Sequence, residues 1–182
     1  MHLQREEATV SPIRFTIASI ASAALTVLVA TGANAAPKSE AAVKMAAAAA
    51  AATPMSVPAL EALYSGKTWK WKDGGGYFSA DRHRFTAWSE KGNAWSYGKG
   101  RWTASHGGKV CLQARWHYRT GYGNNSACFL HREKDGVIYQ KPALGGEWYV
   151  FRHNPVRPGD EIRKLVPGDR VGKNLARLEA QR

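Results

Sequence analysis

Cys111 and Cys128 restrict the possible folds of this chain more than any other feature. They are its only cysteines, seventeen positions apart, and each lies in an apolar, β-prone segment. Between those segments runs Thr120-Gly121-Tyr122-Gly123-Asn124-Asn125, a glycine- and asparagine-rich stretch with the chemistry of a turn. The pattern predicts a β-hairpin stapled by a disulfide. Closing a loop of that size stabilises a fold by about 3 kcal/mol in the chain-entropy model. Two other uses of the thiols fit less well. A metal pair lacks further ligands at a recognisable spacing, and a catalytic thiol would need a histidine partner and protection from oxidation.

Strand signals extend from this hairpin in both directions. Lys67 to Lys72 alternates basic and apolar residues and places Trp69 and Trp71 on one face. Asp73-Gly74-Gly75-Gly76 reads as a hairpin turn, and Gly98 and Gly100 as a bulge or bend. Further strands are expected around Tyr77-Phe78, Arg84 to Ser89, Ala94 to Tyr97, Arg101 to Thr103, Val137 to Gln140 and Trp148 to Phe151. About eight short strands with turns between them predict an all-β antiparallel meander curling into a small lipocalin-like barrel or sandwich. All seven tryptophans lie between Trp69 and Trp148, which ties the core to that span.

The flanks read differently. Residues 1–35 combine a polar start carrying Arg5 and Arg14, an apolar run from Ile17 to Ala30, and a small-x-small site at Ala33-Asn34-Ala35. That is a secretory signal peptide, with cleavage expected between Ala35 and Ala36 and no membrane span left afterwards. Residues 36–57 are an alanine-rich linker, read as a frayed helix or flexible spacer. Residues 58–153 are the β domain, opened by a short helix that turns Leu60, Leu63 and Tyr64 toward it. Residues 154–182 are a basic tail in which residues 172–182 have the spacing of a short amphipathic helix, with Leu175 and Leu178 on one side.

Several motifs together resemble a family of small exported proteobacterial proteins known as domain of unknown function 995. They are Leu63-Tyr64-Ser65-Gly66-Lys67-Thr68-Trp69-Lys70-Trp71, Gly75-Gly76-Tyr77-Phe78, Phe85-Thr86-Ala87-Trp88, Gly100-Arg101-Trp102, and the cysteine hairpin with Trp116. The resemblance covers about residues 58–153. It implies export and a single β-rich domain, and it transfers no catalytic residue.

The net charge of +12 arises from 26 Lys and Arg against 14 Asp and Glu, and the first 35 residues contribute nothing to it. Such a balance favours anionic partners, and export weighs against nucleic acid. There is no Gly-x-Ser-x-Gly elbow, phosphate loop or zinc spacing, so no enzyme, cofactor or metal is expected. Histidines on neighbouring strands can meet in space, and His117 and His131 are such a pair. The stronger lead is aromatic and basic interleaving. In Arg115-Trp116-His117-Tyr118-Arg119, Trp116 and Tyr118 share one face, and Arg115, His117 and Arg119 the other. With Lys72 and Tyr122, these residues form the candidate binding set. The expected function is a non-enzymatic, envelope-associated module, periplasmic or secreted, that binds an anionic glycan or glycolipid. The alternatives are a lipocalin-like carrier of a small apolar ligand and, less favoured, a hydrolase or an inhibitor of one.

Overall fold

In a computed structural model of the protein, residues 39–181 are described. The expected signal peptide and the junction between Ala35 and Ala36 lie outside them. Three helices and ten strands are described: α1 (Glu40–Ala50), β1 (Thr53–Pro54), α2 (Val57–Tyr64), β2 (Lys67–Trp71), β3 (Gly74–Phe78), β4 (Arg84–Lys91), β5 (Ala94–Ser105), β6 (Lys109–Tyr118), β7 (Gly121–Lys134), β8 (Val137–Pro142), β9 (Tyr149–Arg152), β10 (Leu165–Pro167) and α3 (Gly172–Glu179).

All the strands belong to one antiparallel sheet, ordered β10-β2-β3-β4-β5-β6-β7-β8-β9, with β1 paired to β7. From β2 to β9 it is a meander of eight strands, as the turn rhythm predicts. The sheet curls into a half-barrel. The Trp69 and Phe151 rings, from β2 and β9, come within 6.0 Å, and a 3-10 turn at Glu161–Lys164 links β9 to β10. Inside the curl Phe78, Phe85, Trp102, Val110, Ile138 and Phe151 pack with Leu60, Leu63 and Tyr64 of α2. Burying each large side chain stabilises by about 1.5–3 kcal/mol. Trp102 also satisfies its one polar atom, donating from Nε1 to the Ser79 carbonyl at 3.0 Å.

The alanine-rich stretch is part of this body. Ser39 accepts a hydrogen bond from the Ala42 N–H and caps α1, and alanine's high propensity carries the helix to Ala50. At its far end the Arg132 guanidinium, from β7, donates to the carbonyls of Ala49, Ala50 and Ala52. Those oxygens would otherwise be orphans of the helix end. The basic tail docks as well. Leu175 and Leu178 of α3, with Val171, cover Trp95 and Tyr97 on the outer face of the sheet, flanked by Tyr77 and Trp88. Arg177 forms an ion pair with Glu90, and Glu179 one with Lys99. The described residues 39–181 accordingly lie in one compact unit.

Three glycine stretches do not turn the chain as the sequence suggests. Lys72 and Asp73 make the first hairpin turn, and Gly74, Gly75 and Gly76 lie within β3. Gly98 and Gly100 sit inside β5, whose pairing with β6 runs unbroken from Ser96 to Ser105. The cysteine hairpin turns at Arg119-Thr120, so Gly121 to Asn125 are strand. One physical reason covers most of these positions: strand glycines face tryptophans across the ladder. The pairs are Trp69 with Gly76, Trp71 with Gly74, Trp88 with Gly75, and Trp116 with both Gly98 and Gly123. A Cβ on Gly98 would stand 3.1 Å from the Trp116 indole, so the missing side chain is what lets the ring lie there.

Candidate functional site

The disulfide sets the register of the candidate surface. Cys111 and Cys128 are bonded, S–S 2.08 Å, and directly face each other in the ladder. Seven residues on each strand then separate a cysteine from the two-residue turn, which puts His117 opposite Tyr122 and Arg115 opposite Asn124. Side chains alternate across a sheet. Val110, Leu112, Ala114 and Trp116 therefore belong to the inner core, and Arg115 and His117 point to the outer face.

Of the five candidate binding residues, the structure brings three together. The Arg115 guanidinium lies over the Tyr122 ring, 5.0 Å from its centroid, and the His117 ring is 6.0 Å from Tyr122. His117 also stacks on Tyr97 at 4.8 Å, and Tyr97 stacks on Trp95. An aromatic ladder thus runs from beneath α3 out to Tyr122, which is 62% exposed. The other two residues sit in turns. Lys72 is at the β2–β3 turn, and Arg119 at the β6–β7 turn, where it donates to the Asn93 carbonyl at 3.4 Å. Tyr122 is therefore not at a hairpin tip. It is a strand residue whose neighbours are fixed by pairing.

Beside Arg115 lies an open groove of about 430 Å3, lined on the outer face by Lys99, Gln113, Asn124 and Ser126. Adjacent strands pair Lys99 with Arg115 and Arg115 with Asn124, so these groups form a row across β5, β6 and β7. The next row is Arg101, Gln113 and Ser126. Lys99 is shared with Glu179, whereas Arg115 makes no ion pair with any described residue. The groove offers cations, side-chain amides and a hydroxyl, and the exposed Tyr122 ring lies against its Arg115. The sequence reading missed Lys99, Gln113, Asn124 and Ser126. For Gln113, Asn124 and Ser126 the signal was the even spacing of the cysteine hairpin, which fixes which of its residues face which, whereas Lys99, on β5, had none.

His117 and His131 do not meet. His131 is on the inner face, fully buried, at the centre of a polar chain the sequence did not reveal. Its Nδ1 donates to the Gly108 carbonyl at 3.1 Å, and its Nε2 accepts from the Tyr64 hydroxyl at 2.8 Å. Gln140 donates to Tyr64 Oη at 2.8 Å and accepts from the Tyr149 hydroxyl. The chain ties α2, β7, β8, β9 and the β5–β6 turn together. Burial lowers the His131 imidazole to about 4, against the raising effect of the Gly108 and Phe129 carbonyls, so the ring is neutral at pH 7. Burial also pushes the Tyr64 and Tyr149 hydroxyls well above their ordinary range. Such a network, fully satisfied, makes one packing of the core more favourable than others.

No group of three or more His, Cys, Asp or Glu that would hold a metal ion occurs among the described residues. No helix among them is long and apolar enough to cross a membrane. A family profile described as "Protein of unknown function (DUF995)" matches residues 26–171, most of the chain. The match ends just before α3. No curated protein and no solved structure matches the chain.

Proposed function

From the premise that this chain belongs to the DUF995 family, we propose that it is an exported, non-enzymatic binding module of the cell envelope. Its ligand is an anionic glycan or glycolipid laid across the outer face of β5, β6 and β7. The observation that carries this reading is the row Lys99, Arg115 and Asn124 beside exposed Tyr122. Sugar rings offer flat C–H faces for an aromatic ring and hydroxyls for amide groups. An acidic sugar or phosphate adds a charge for a guanidinium, which binds such groups bidentately. The disulfide is compatible with a periplasmic or secreted location, where such bonds persist.

The test is co-sedimentation of the purified protein with an acidic polysaccharide, polygalacturonate, at low and high salt. Surface charge pairing weakens as the Debye length falls from about 10 Å at 0.1 M to about 3 Å at 1 M salt. Retention should therefore fall steeply with salt and be lost in Arg115→Gln and Tyr122→Ala. Retention that ignores salt, or that both variants keep, would sink the reading.

A further inference from the structure

The half-barrel is filled unevenly. α2 packs Leu60, Leu63 and Tyr64 into the inner core, against Phe78 and the rings of β9. Elsewhere on the inner face an apolar cleft of about 210 Å3 remains, lined by Trp71, Phe85, Leu112, Trp116 and Ala127, and it shares Ala114, Asn125 and Ser126 with the lining of the outer groove. Its exposed lining is overwhelmingly apolar, and Trp71, at 39% exposure, is among the few large apolar side chains left open to solvent.

The two tryptophans are set apart from the other rings. Trp69, Phe78, Trp102, Phe129 and Phe151 are all engaged ring against ring. Neither Trp71 nor Trp116 makes a ring contact with another described aromatic, and neither indole N–H donates to a described residue. Each is backed by glycine instead. A Cβ on Gly74 would stand 2.6 Å from Trp71 Nε1, and one on Gly98 would stand 3.1 Å from the Trp116 ring. Glycine behind each ring leaves its π-surface for something else. The Asn125 side chain, on the β7 wall, likewise has no hydrogen-bond partner among the described residues.

We infer that this inner cleft, whose tryptophans do not line the outer groove, is a second binding site, for one small planar aromatic ring system bearing a hydrogen-bonding oxygen. The volume is that of about seven waters, enough for a fused pair of rings and too small for a drug-sized ligand. Flat faces favour flat partners, because aromatic pairs stack offset or edge to face with centroids about 4.5–7 Å apart. The apolar walls select against a sugar, whose hydroxyls would go unpaired there. The Asn125 side-chain amide, on the β7 wall, is the donor for a single polar oxygen.

The probe is 2-naphthol, titrated into the purified protein and followed through the NMR signals of the Trp71 and Trp116 indole N–H groups and the Asn125 side-chain amide. Saturable shifts confined to these groups are expected. Ala127→Leu fills part of the cleft and removes no contact, so it should weaken binding at least tenfold with an unchanged melting temperature. Should that variant not fold, Trp71→Ala at the exposed wall reads the same loss. Arg115→Gln should leave naphthol binding unchanged, which separates this site from the outer groove whatever the polysaccharide result. The inference is overturned if no saturable shift appears, or if the wall variant binds as the wild type does. It is also overturned if decanoate or methyl glucoside occupies the cleft in preference to naphthol.

Discussion

Acid should weaken this fold through one buried ring. The His131 imidazole is fully buried and held neutral, with its pKa lowered from 6.5 to about 4. The unfolded chain therefore takes up a proton on this residue before the folded chain does. Stability from this source is complete above about pH 6.5 and is lost as the pH falls through the window from 6.5 to 4. At 1.36 kcal/mol per pKa unit the loss is about 2 kcal/mol by pH 5 and about 3 kcal/mol by pH 4. The assay is urea unfolding followed by tryptophan fluorescence at pH 7, 5 and 4. With a slope of about 1.5 kcal/mol per M, the midpoint should drop by about 2 M across the series. His131→Gln will be less stable at pH 7, because it disturbs the Tyr64 and Gly108 hydrogen bonds, but its midpoint should depend much less on pH. If the variant does not fold, the titration of the His131 ring by NMR reads the same quantity. A wild-type midpoint that stays level between pH 7 and 4, or a variant with the wild-type slope, would refute the reasoning.

Replacing both Cys111 and Cys128 by alanine should cost about 3 kcal/mol, read as a lower urea midpoint for the double variant at pH 7. Gly100→Ala should cost more than about 1–3 kcal/mol, because its Cβ would fall 1.8 Å from the Gln113 carbonyl oxygen, a backbone atom that cannot turn aside. The check is whether that variant purifies as a folded monomer or melts well below the wild type. Leu178→Ala removes a fully buried side chain from the α3 contact and should cost about 2 kcal/mol or more, measured by thermal unfolding. Below pH 3.8 a further loss should appear from Asp160. Its burial opposes the shift, but the N–H groups of Arg157 and His153 and the His153 ring together hold its carboxyl at about 2. Asp160→Asn should remove that low-pH step from the unfolding series.

The meander from β2 to β9 was legible because antiparallel strands are local objects. Each carries its own alternation, and the next lies within a few residues. The amphipathic spacing of Leu175 and Leu178 was legible for the same reason. The turns were misplaced wherever glycine carried the argument. Glycine marks a turn by its freedom at positive φ, but it also marks a strand position where a ring from the next strand needs room. Gly74, Gly76, Gly98 and Gly123 are of the second kind, and only the partner across the ladder distinguishes the two. The candidate surface was half legible. Arg115, His117 and Tyr122 share a patch because the hairpin places them there, whereas Lys99 and Asn124 enter through pairings that single-strand patterns do not contain.

By itself the sequence determined the antiparallel meander, the cysteine staple, the basic balance and the faces of the Trp69 and Trp116 strands. These follow from period-two alternation and from the rarity of cysteine. Tertiary structure alone decided the rest. It docked α3 on Tyr97, drew the alanine helix onto Arg132, buried His131 between Tyr64, Gln140 and Gly108, and left Trp71 and Trp116 without ring partners among the described residues. Those outcomes depend on which groups are left facing one another once a long, twisted sheet has curled, and that geometry is a sum over all its strands.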